Sequence, residues 1–101
     1  MTPYCDNRLT VVGPPAEVKA FDNSKWRTAA QAKYVEVLQL SPRRHCWVFE
    51  TEEGPPLEWL LRTSRRIPKL TFLLDYELSK RRRKGVVKAS NGRLDHMSFI
   101  Y

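Results

Sequence analysis

The sequence predicts an α+β fold of the ferredoxin-like class, a βαββαβ split repeat with an added C-terminal β-hairpin. Short β-type segments are separated by two segments that begin at paired prolines and have helical spacing. Leu70–Leu78 alternates apolar and other residues without interruption, and an Asn-Gly pair separates the last two β-type segments. We therefore expect a mainly antiparallel sheet with two helices on one face.

The first half of the chain is predicted to hold a strand, a helix and a hairpin. Asn7–Val12 is β-rich, and Gly13 with the two prolines after it fits a strand end followed by a helix start. Residues 22–32 are predicted as a connection in which some helix remains possible. Lys33–Leu40 fits neither period cleanly, but its valines and the following Ser-Pro favour a strand. The strand His45–Thr51 then completes the hairpin.

The second half begins with the clearest helix, residues 52–66, which starts at paired prolines and cannot continue past Pro68. The residues predicted to line one face of this helix are Leu57, Leu60, Leu61 and Ser64. The strand that follows is predicted to turn one set of side chains toward the core, namely Leu70, Phe72, Leu74, Tyr76 and Leu78. Asn91-Gly92 predicts the final hairpin, because both residues tolerate a positive φ.

Composition indicates a small folded domain. A chain of 101 residues, with 42% hydrophobic and 29% charged residues, corresponds to one domain with a single core. Two cysteines are too few for a disulfide framework and suit a reducing cytoplasm. The first ten residues lack the pattern of a signal peptide, and no apolar run approaches the ~20 residues of a membrane span. We expect a cytoplasmic protein that does not enter a membrane.

Several segments carry a pattern that goes beyond periodicity, namely residues 5–21 (CDNRLTVVGPPAEVKAF), 33–42 (KYVEVLQLSP), 49–77 (FETEEGPPLEWLLRTSRRIPKLTFLLDYE) and 84–94 (KGVVKASNGRL). Together these segments resemble the YubB-like ferredoxin-domain proteins, which are found mainly on bacterial plasmids and phages. The chain lacks the tryptophan-rich insert that larger members carry between the positions matching Leu40 and His45. The resemblance implies a ferredoxin-like fold and a bacterial, mobile-element setting, and it implies no established activity.

Positive charge is concentrated in one segment. Residues 62–93 contain eleven Lys or Arg and two acids, a net charge of +9, whereas the rest of the chain carries −2. The run at residues 80–84 is predicted to be a turn between two strands, where like charges stay solvated and protect a sheet edge. Alternatively, it contacts phosphates and binds nucleic acid without reading sequence. The cations assigned to that hypothesis are Lys80, Arg81, Arg82, Arg83, Lys84, Arg62, Arg65, Arg66 and Lys88.

The sequence predicts no metal site, no cofactor and no catalytic group. Its cysteines and histidines lack the spacing of metal ligands, and no nucleophile motif or phosphate-binding loop is present. Two carboxylate pairs, Glu50 with Glu52 and Asp75 with Glu77, are expected on wet sheet faces, where Arg8 or Lys88 balances them. RNA-recognition modules stack bases on strand aromatics, but Val86 and Val87 stand in the corresponding strand here.

Large apolar residues provide the candidate partner contacts. Trp59 lies at the edge of the leucine stripe and is predicted either to cover the rim of the core or to touch a partner. Met97–Tyr101 is predicted as an outer strand that forms a homodimer or accepts a strand of an unknown protein. The residues assigned to partner binding are Trp59, Phe99 and Tyr101. The predicted function is a small non-enzymatic interaction module, and weak nucleic-acid binding through the basic run is the alternative.

Overall fold

A computed structural model describes residues 4–101, so the first three residues of the stretch assessed for a signal peptide lie outside it. The strands are β1 (Tyr4–Val12), β2 (Lys33–Ser41), β3 (Arg44–Glu52), β4 (Thr71–Leu78), β5 (Arg83–Ser90) and β6 (Arg93–Ile100). The helices are α1 (Pro15–Asp22), α2 (Trp26–Ala29) and α3 (Leu57–Arg66), and a 3₁₀ turn covers Ser79–Arg81. The strands form one antiparallel sheet in the order β2-β3-β1-β4-β5-β6. The predicted α+β class is confirmed.

The described chain has three α-helices, and the prediction of two was wrong. The additional helix α2 lies in the predicted connection, where the N–H of Ala30 donates to the carbonyl of Trp26 at 2.8 Å. Four residues are too few to produce a helical period in the sequence, so the pattern there gave no clear signal. This short helix places the Trp26 side chain in the core.

An aromatic cluster joins the helices to the sheet. The ring of Phe21 on α1 lies with its centroid between 5.4 and 6.2 Å from four other rings. Those rings belong to Trp26, Trp47, Trp59 and Phe72, which come from two further helices and two strands. Each aromatic pair contributes about 0.5–1.5 kcal/mol beyond simple burial. The cluster therefore fixes all three helices on the same face of the sheet.

The buried face of α3 differs from the predicted stripe. Trp59 is only 6% exposed, whereas Leu57 and Leu61 are partly exposed. The residues that α3 buries are Trp59, Leu60, Thr63 and Ser64. The helix is therefore rotated about its axis relative to the predicted stripe, because the Trp59 ring packs against Phe21 of the aromatic cluster. Of the two alternatives predicted for Trp59, the structure favours the one in which it covers the core, although the residue lies within the core cluster and not at its rim. A buried indole leaves little surface for a partner.

The alternation predicted for β4 is confirmed. The five residues assigned to the core, Leu70, Phe72, Leu74, Tyr76 and Leu78, are all buried. On the other face Leu73 and Asp75 are exposed, and Glu77 is partly exposed. The helices cover one face of the sheet only, and the second face, which we call the open face, carries the polar residues of β4.

One tyrosine connects β4 to β6 across the strand between them. Tyr76 on β4 lies opposite Gly85 on β5, and its hydroxyl is hydrogen-bonded to Nε2 of His96 on β6 at 2.6 Å. A Cβ atom at Gly85 would lie 2.2 to 2.4 Å from atoms of the Tyr76 ring. Glycine is therefore required at this position, because only its backbone leaves room for the ring to reach β6.

The predicted Asn-Gly hairpin is confirmed between β5 and β6. Asn91 has φ 50° and Gly92 has φ 76°, as a two-residue turn of this kind demands. The N–H of Gly92 donates to Oγ of Ser64 at 3.1 Å, so the turn is held against α3.

We predict that Gly85→Ala destabilises the protein, although Gly→Ala in an unstrained strand commonly has the opposite effect. The added methyl group overlaps the Tyr76 ring, and relieving that overlap costs about 1–3 kcal/mol. Urea unfolding measures the loss. In a Tyr76→Leu background the same change should cost much less, since the overlapping ring is absent. Equal losses in both backgrounds would contradict the explanation.

Candidate interaction site

The basic run forms a tighter turn than predicted. Ser79–Arg81 is a single 3₁₀ turn, and Arg82 adopts the left-handed conformation with φ 51°. Arg83 and Lys84 already belong to β5, so the prediction that all five cations occupy the turn was wrong. Strand pairing with β4 begins immediately after Arg82, because Leu78 lies opposite Arg83. All five side chains are exposed, as expected from their charge.

The turn and the end of the last strand meet at one corner of the sheet. Lys84 lies opposite Phe99, and its Nζ is 5.0 Å from the centroid of the Tyr101 ring. The guanidinium carbon of Arg82 lies 5.9 Å from the same centroid. Such contacts are worth about 0.5–1 kcal/mol at exposed positions. The structure thus brings two predicted sets together, the basic run and the partner residues Phe99 and Tyr101, and we call this region the corner.

Hydrogen bonds hold Tyr101 in the corner. Its N–H donates to the carbonyl of Arg82 at 2.8 Å, and its hydroxyl donates to the carboxylate of Glu77. The hydrogen bond to Glu77 raises the pKa of Tyr101 above its ordinary value. The corner is therefore an ordered surface in which cations and an aromatic ring lie side by side.

The remaining predicted cations lie elsewhere. Arg65 on α3 contacts the turn at Gly92, whereas the basic run lies at the opposite end of β5. Eight strand residues separate the two ends by about 24 Å. Arg62 and Arg66 are on the same helix as Arg65, and Lys88 projects from the open face of β5. The nine cations therefore do not form one patch.

The open face carries a row of carboxylates that the sequence did not reveal. Asp6 on β1 lies opposite both Glu50 on β3 and Glu77 on β4. The row lines an open concavity of about 510 Å³. Arg8, one of the two cations predicted to balance these acids, lies opposite Asp75. The other, Lys88, lies opposite Asp95 on β6 instead. Only the register between distant strands brings these acids together, and no local pattern in the sequence encodes that register.

The carboxylate row does not amount to a metal centre. Among residues 4–101, no group of three or more His, Cys, Asp or Glu side chains is arranged to hold a metal ion. Cys46 accepts a hydrogen bond from Thr10 on the open face at 3.5 Å, while the neighbouring His45 stacks edge-on against Trp47 on the other. The two candidate ligands thus point to opposite faces, as neighbours on a strand must.

The two outer strands of the sheet differ in regularity. β2 pairs with β3 through two register shifts, one between Lys33 and Glu36 and one between Val37 and Gln39. β6 pairs with β5 without a shift along its whole length. Irregular edges resist further pairing, whereas a regular edge presents a row of unused N–H and C=O groups. β6 is therefore the edge at which another strand can add.

A buried polar network, which no pattern in the sequence indicates, lies beneath β1. Nδ2 of Asn7 donates to Oγ1 of Thr51 at 2.9 Å and to the carbonyl of Cys5 at 3.2 Å. Thr51 in turn donates to the carbonyl of Gly54 at 2.6 Å. Burial raises the pKa of the Cys5 thiol to about 12. Cys5 is thus held as a thiol at neutral pH and is unsuited to act as a nucleophile.

Comparisons with known proteins found no family model, curated protein or solved structure that matches this chain. The resemblance to the YubB-like family consequently stays a prediction. In the described part of the chain, no helix is both long enough and apolar enough to cross a membrane.

We predict that stability falls at high pH through Cys5. Its pKa is about 12 in the folded protein against 9.0 ordinarily, so its contribution is complete below pH 9 and is lost as the pH rises toward 12. In that window the unfolded state releases the proton first, and the free energy of unfolding falls by up to about 1.4 kcal/mol per pH unit. Urea unfolding between pH 8 and 10.5 should give a shallower decline for Cys5→Ala than for Cys46→Ala. The same slope in both variants would contradict the prediction.

Proposed function

We propose that this protein is a small non-enzymatic interaction module that pairs with a second copy of itself through β6. The observation that carries the proposal is the regular, unshifted outer edge of β6 beside the shifted edge of β2. The side chains of β6 support it, since Met97, Phe99 and Ile100 are 66%, 51% and 71% exposed. Apolar residues of this size on a free edge favour strand addition.

A second copy suits this edge because antiparallel pairing of β6 with itself is self-complementary. A two-fold axis would relate the two strands, and each strand would offer the same groups to the other. The two sheets would then form one continuous antiparallel sheet of twelve strands. The segment from His96 to Ile100 contains no Asp, Glu, Lys or Arg, so like charges would not oppose each other at the centre of the interface.

We also propose that β1 to β4 with α1 and α3 form a ferredoxin-like split repeat, and that the hairpin β5–β6 widens its sheet. The strand order supports this, since β3 lies between β1 and β2, while β1 lies between β3 and β4. Each helical connection therefore crosses one intervening strand, which is the feature that defines a split βαβ unit. A cytoplasmic location and a bacterial, mobile-element origin belong to the same proposal. The two free and buried cysteines suit a reducing compartment.

Weak nucleic-acid binding through Lys80–Lys84 is the second candidate function. The corner favours it, because Arg82 and Lys84 lie over the ring of Tyr101. Cations beside an exposed aromatic ring are the combination with which proteins hold unpaired strands, where phosphates meet charge and bases stack on rings.

For the dimer, we predict that Met97→Lys/Phe99→Lys abolishes self-association. Both side chains lie on the open face of β6, and paired strands would bring four added lysines close together. Sedimentation equilibrium of the unchanged protein should show a monomer–dimer equilibrium, and the variant should remain monomeric with an unchanged circular dichroism spectrum.

The matched control for the dimer is Leu38→Lys/Leu40→Lys on β2, where the side chains are 49% and 58% exposed. This variant should dimerise as the unchanged protein does. A monomer at every concentration for the unchanged protein would reject self-pairing. If only the β2 variant lost the dimer, the interface would lie on the β2 edge, and pairing through β6 would be rejected.

For the second candidate, we predict that Arg81→Gln/Arg83→Gln weakens binding to a labelled unpaired oligonucleotide. Removing two phosphate contacts should lower the salt slope of log K by about 1.4, since each contact on a single strand contributes about 0.7. Fluorescence anisotropy at several salt concentrations measures this slope. Lys19→Gln/Lys25→Gln removes two charges from the helical side and serves as the control. No binding at low salt would reject the candidate.

A further inference from the structure

We propose that the end of the sheet opposite the basic run binds the sugar–phosphate backbone of duplex nucleic acid without reading its sequence. The surface consists of exposed cations from four separate parts of the chain, and we call it the basic rim. Its members are Arg43, Arg44, Arg65, Arg66, Lys69 and Arg93. This inference does not depend on the β6 dimer or on the corner.

Backbone contacts bring these segments to one end of the domain. The N–H of Gly13 donates to the carbonyl of Arg43 at 3.1 Å, which holds the β2–β3 turn against the end of β1. A Cβ atom at Gly13 would lie 2.9 Å from the carbonyl oxygen of Lys69, so the segment after α3 lies beside the same residue. The turn at Gly92 contacts the Arg65 side chain and completes the rim.

The strand register arranges part of the rim in a line on the open face. Arg44 lies opposite Val12, Val12 opposite Thr71, Thr71 opposite Ser90, and Ser90 opposite Arg93. Four inter-strand steps separate the two arginines by about 19 Å. The two residues between Val12 and Arg93, Thr71 and Ser90, carry hydroxyl groups that can donate hydrogen bonds to phosphate oxygens. The line is long enough to follow about five or six base-pair steps of a duplex.

The charge of the rim is not neutralised by the protein. Within residues 4–101, none of the six cations lies within ion-pairing distance of a carboxylate. The nearest acid along β6 is Asp95, which lies opposite Lys88. Arg65 and Arg66 also interact with the negative C-terminal end of the α3 dipole, but that end is equivalent to only about half a negative charge. The rim therefore retains most of its positive charge for an external anion.

The chemistry of the rim points to a duplex backbone rather than to unpaired bases. Five of its six cations are arginines, whose planar guanidinium groups bind phosphate with two parallel hydrogen bonds. The large exposed aromatic residues are Tyr4, Tyr34, Phe99 and Tyr101. All four lie toward the other end of the sheet, where β1 begins and β6 ends. The rim thus lacks the stacking platform that unpaired strands require.

The test uses two variants from different parts of the chain, Arg43→Gln/Arg44→Gln and Arg66→Gln/Lys69→Gln. Each removes two exposed rim cations and leaves β6 and the corner unchanged. Fluorescence anisotropy with a labelled duplex of mixed sequence should show about a 10-fold or greater loss of affinity at ~0.1 M salt for each variant. The slope of log K against log salt concentration should fall by about 1.8, since each duplex phosphate contact contributes about 0.9. Circular dichroism checks that both variants stay folded.

Two control variants separate the rim from general charge and from the corner. Lys19→Gln/Lys25→Gln and Arg81→Gln/Arg83→Gln also remove two charges each, and both should lose clearly less affinity for the duplex. Equal losses in all four variants, or no duplex binding at low salt, would overturn the proposal. Tighter rim-dependent binding of an unpaired strand would overturn the choice of duplex. Rim-dependent binding to phosphatidylserine vesicles without duplex binding would assign the rim to a membrane surface instead.

Discussion

The register of β1 between β3 and β4 is the constraint on which every surface of this protein depends. Leu9 lies opposite both Trp47 and Leu74, and these residues face the helices. A slip of β1 by one residue would turn Leu9 to the open face and bring the carboxylate of Asp6 beneath the helices. Burying an unpaired charge costs several kcal/mol, and exposing Leu9 and Val11 adds to that cost. The hydrogen bond from Asn7 to Thr51 fixes the same register from within the core.

A side-chain contact that crosses β5 ties the middle of the outer strand to β4. The rings of the aromatic cluster that belong to the sheet come from β3 and β4, and none comes from β6. Tyr76 spans the distance from β4 to β6, because its ring passes over Gly85 on β5 and its hydroxyl is hydrogen-bonded to His96. Burial raises the pKa of Tyr76, so this hydroxyl keeps its proton well above neutral pH. The free edge is therefore held in a regular, extended form without being covered, and that combination makes it available for pairing.

The sequence allowed the elements to be predicted but not the surfaces they create. Local signals were sufficient for β4, whose alternation is complete, and for the Asn-Gly hairpin. They were insufficient for α2, which is shorter than a helical period can reveal, and for Trp59, whose burial depends on an aromatic partner far away in the chain. The carboxylate row joins residues up to 71 positions apart in the chain, from Asp6 to Glu77, and the basic rim also joins distant segments. Such sets exist only once the register between strands is known.

Dimerisation through β6 would bring the two ends of the sheet next to each other. Antiparallel pairing of β6 with itself places the basic rim of one protomer beside the corner of the other, because the paired strands run in opposite directions. The line that ends at Arg93 would then continue toward the partner's row of Lys84, Glu77 and Asp6. The two rims of a dimer would also point in opposite directions, so a dimer would bridge two duplexes and could not grip one duplex from both sides.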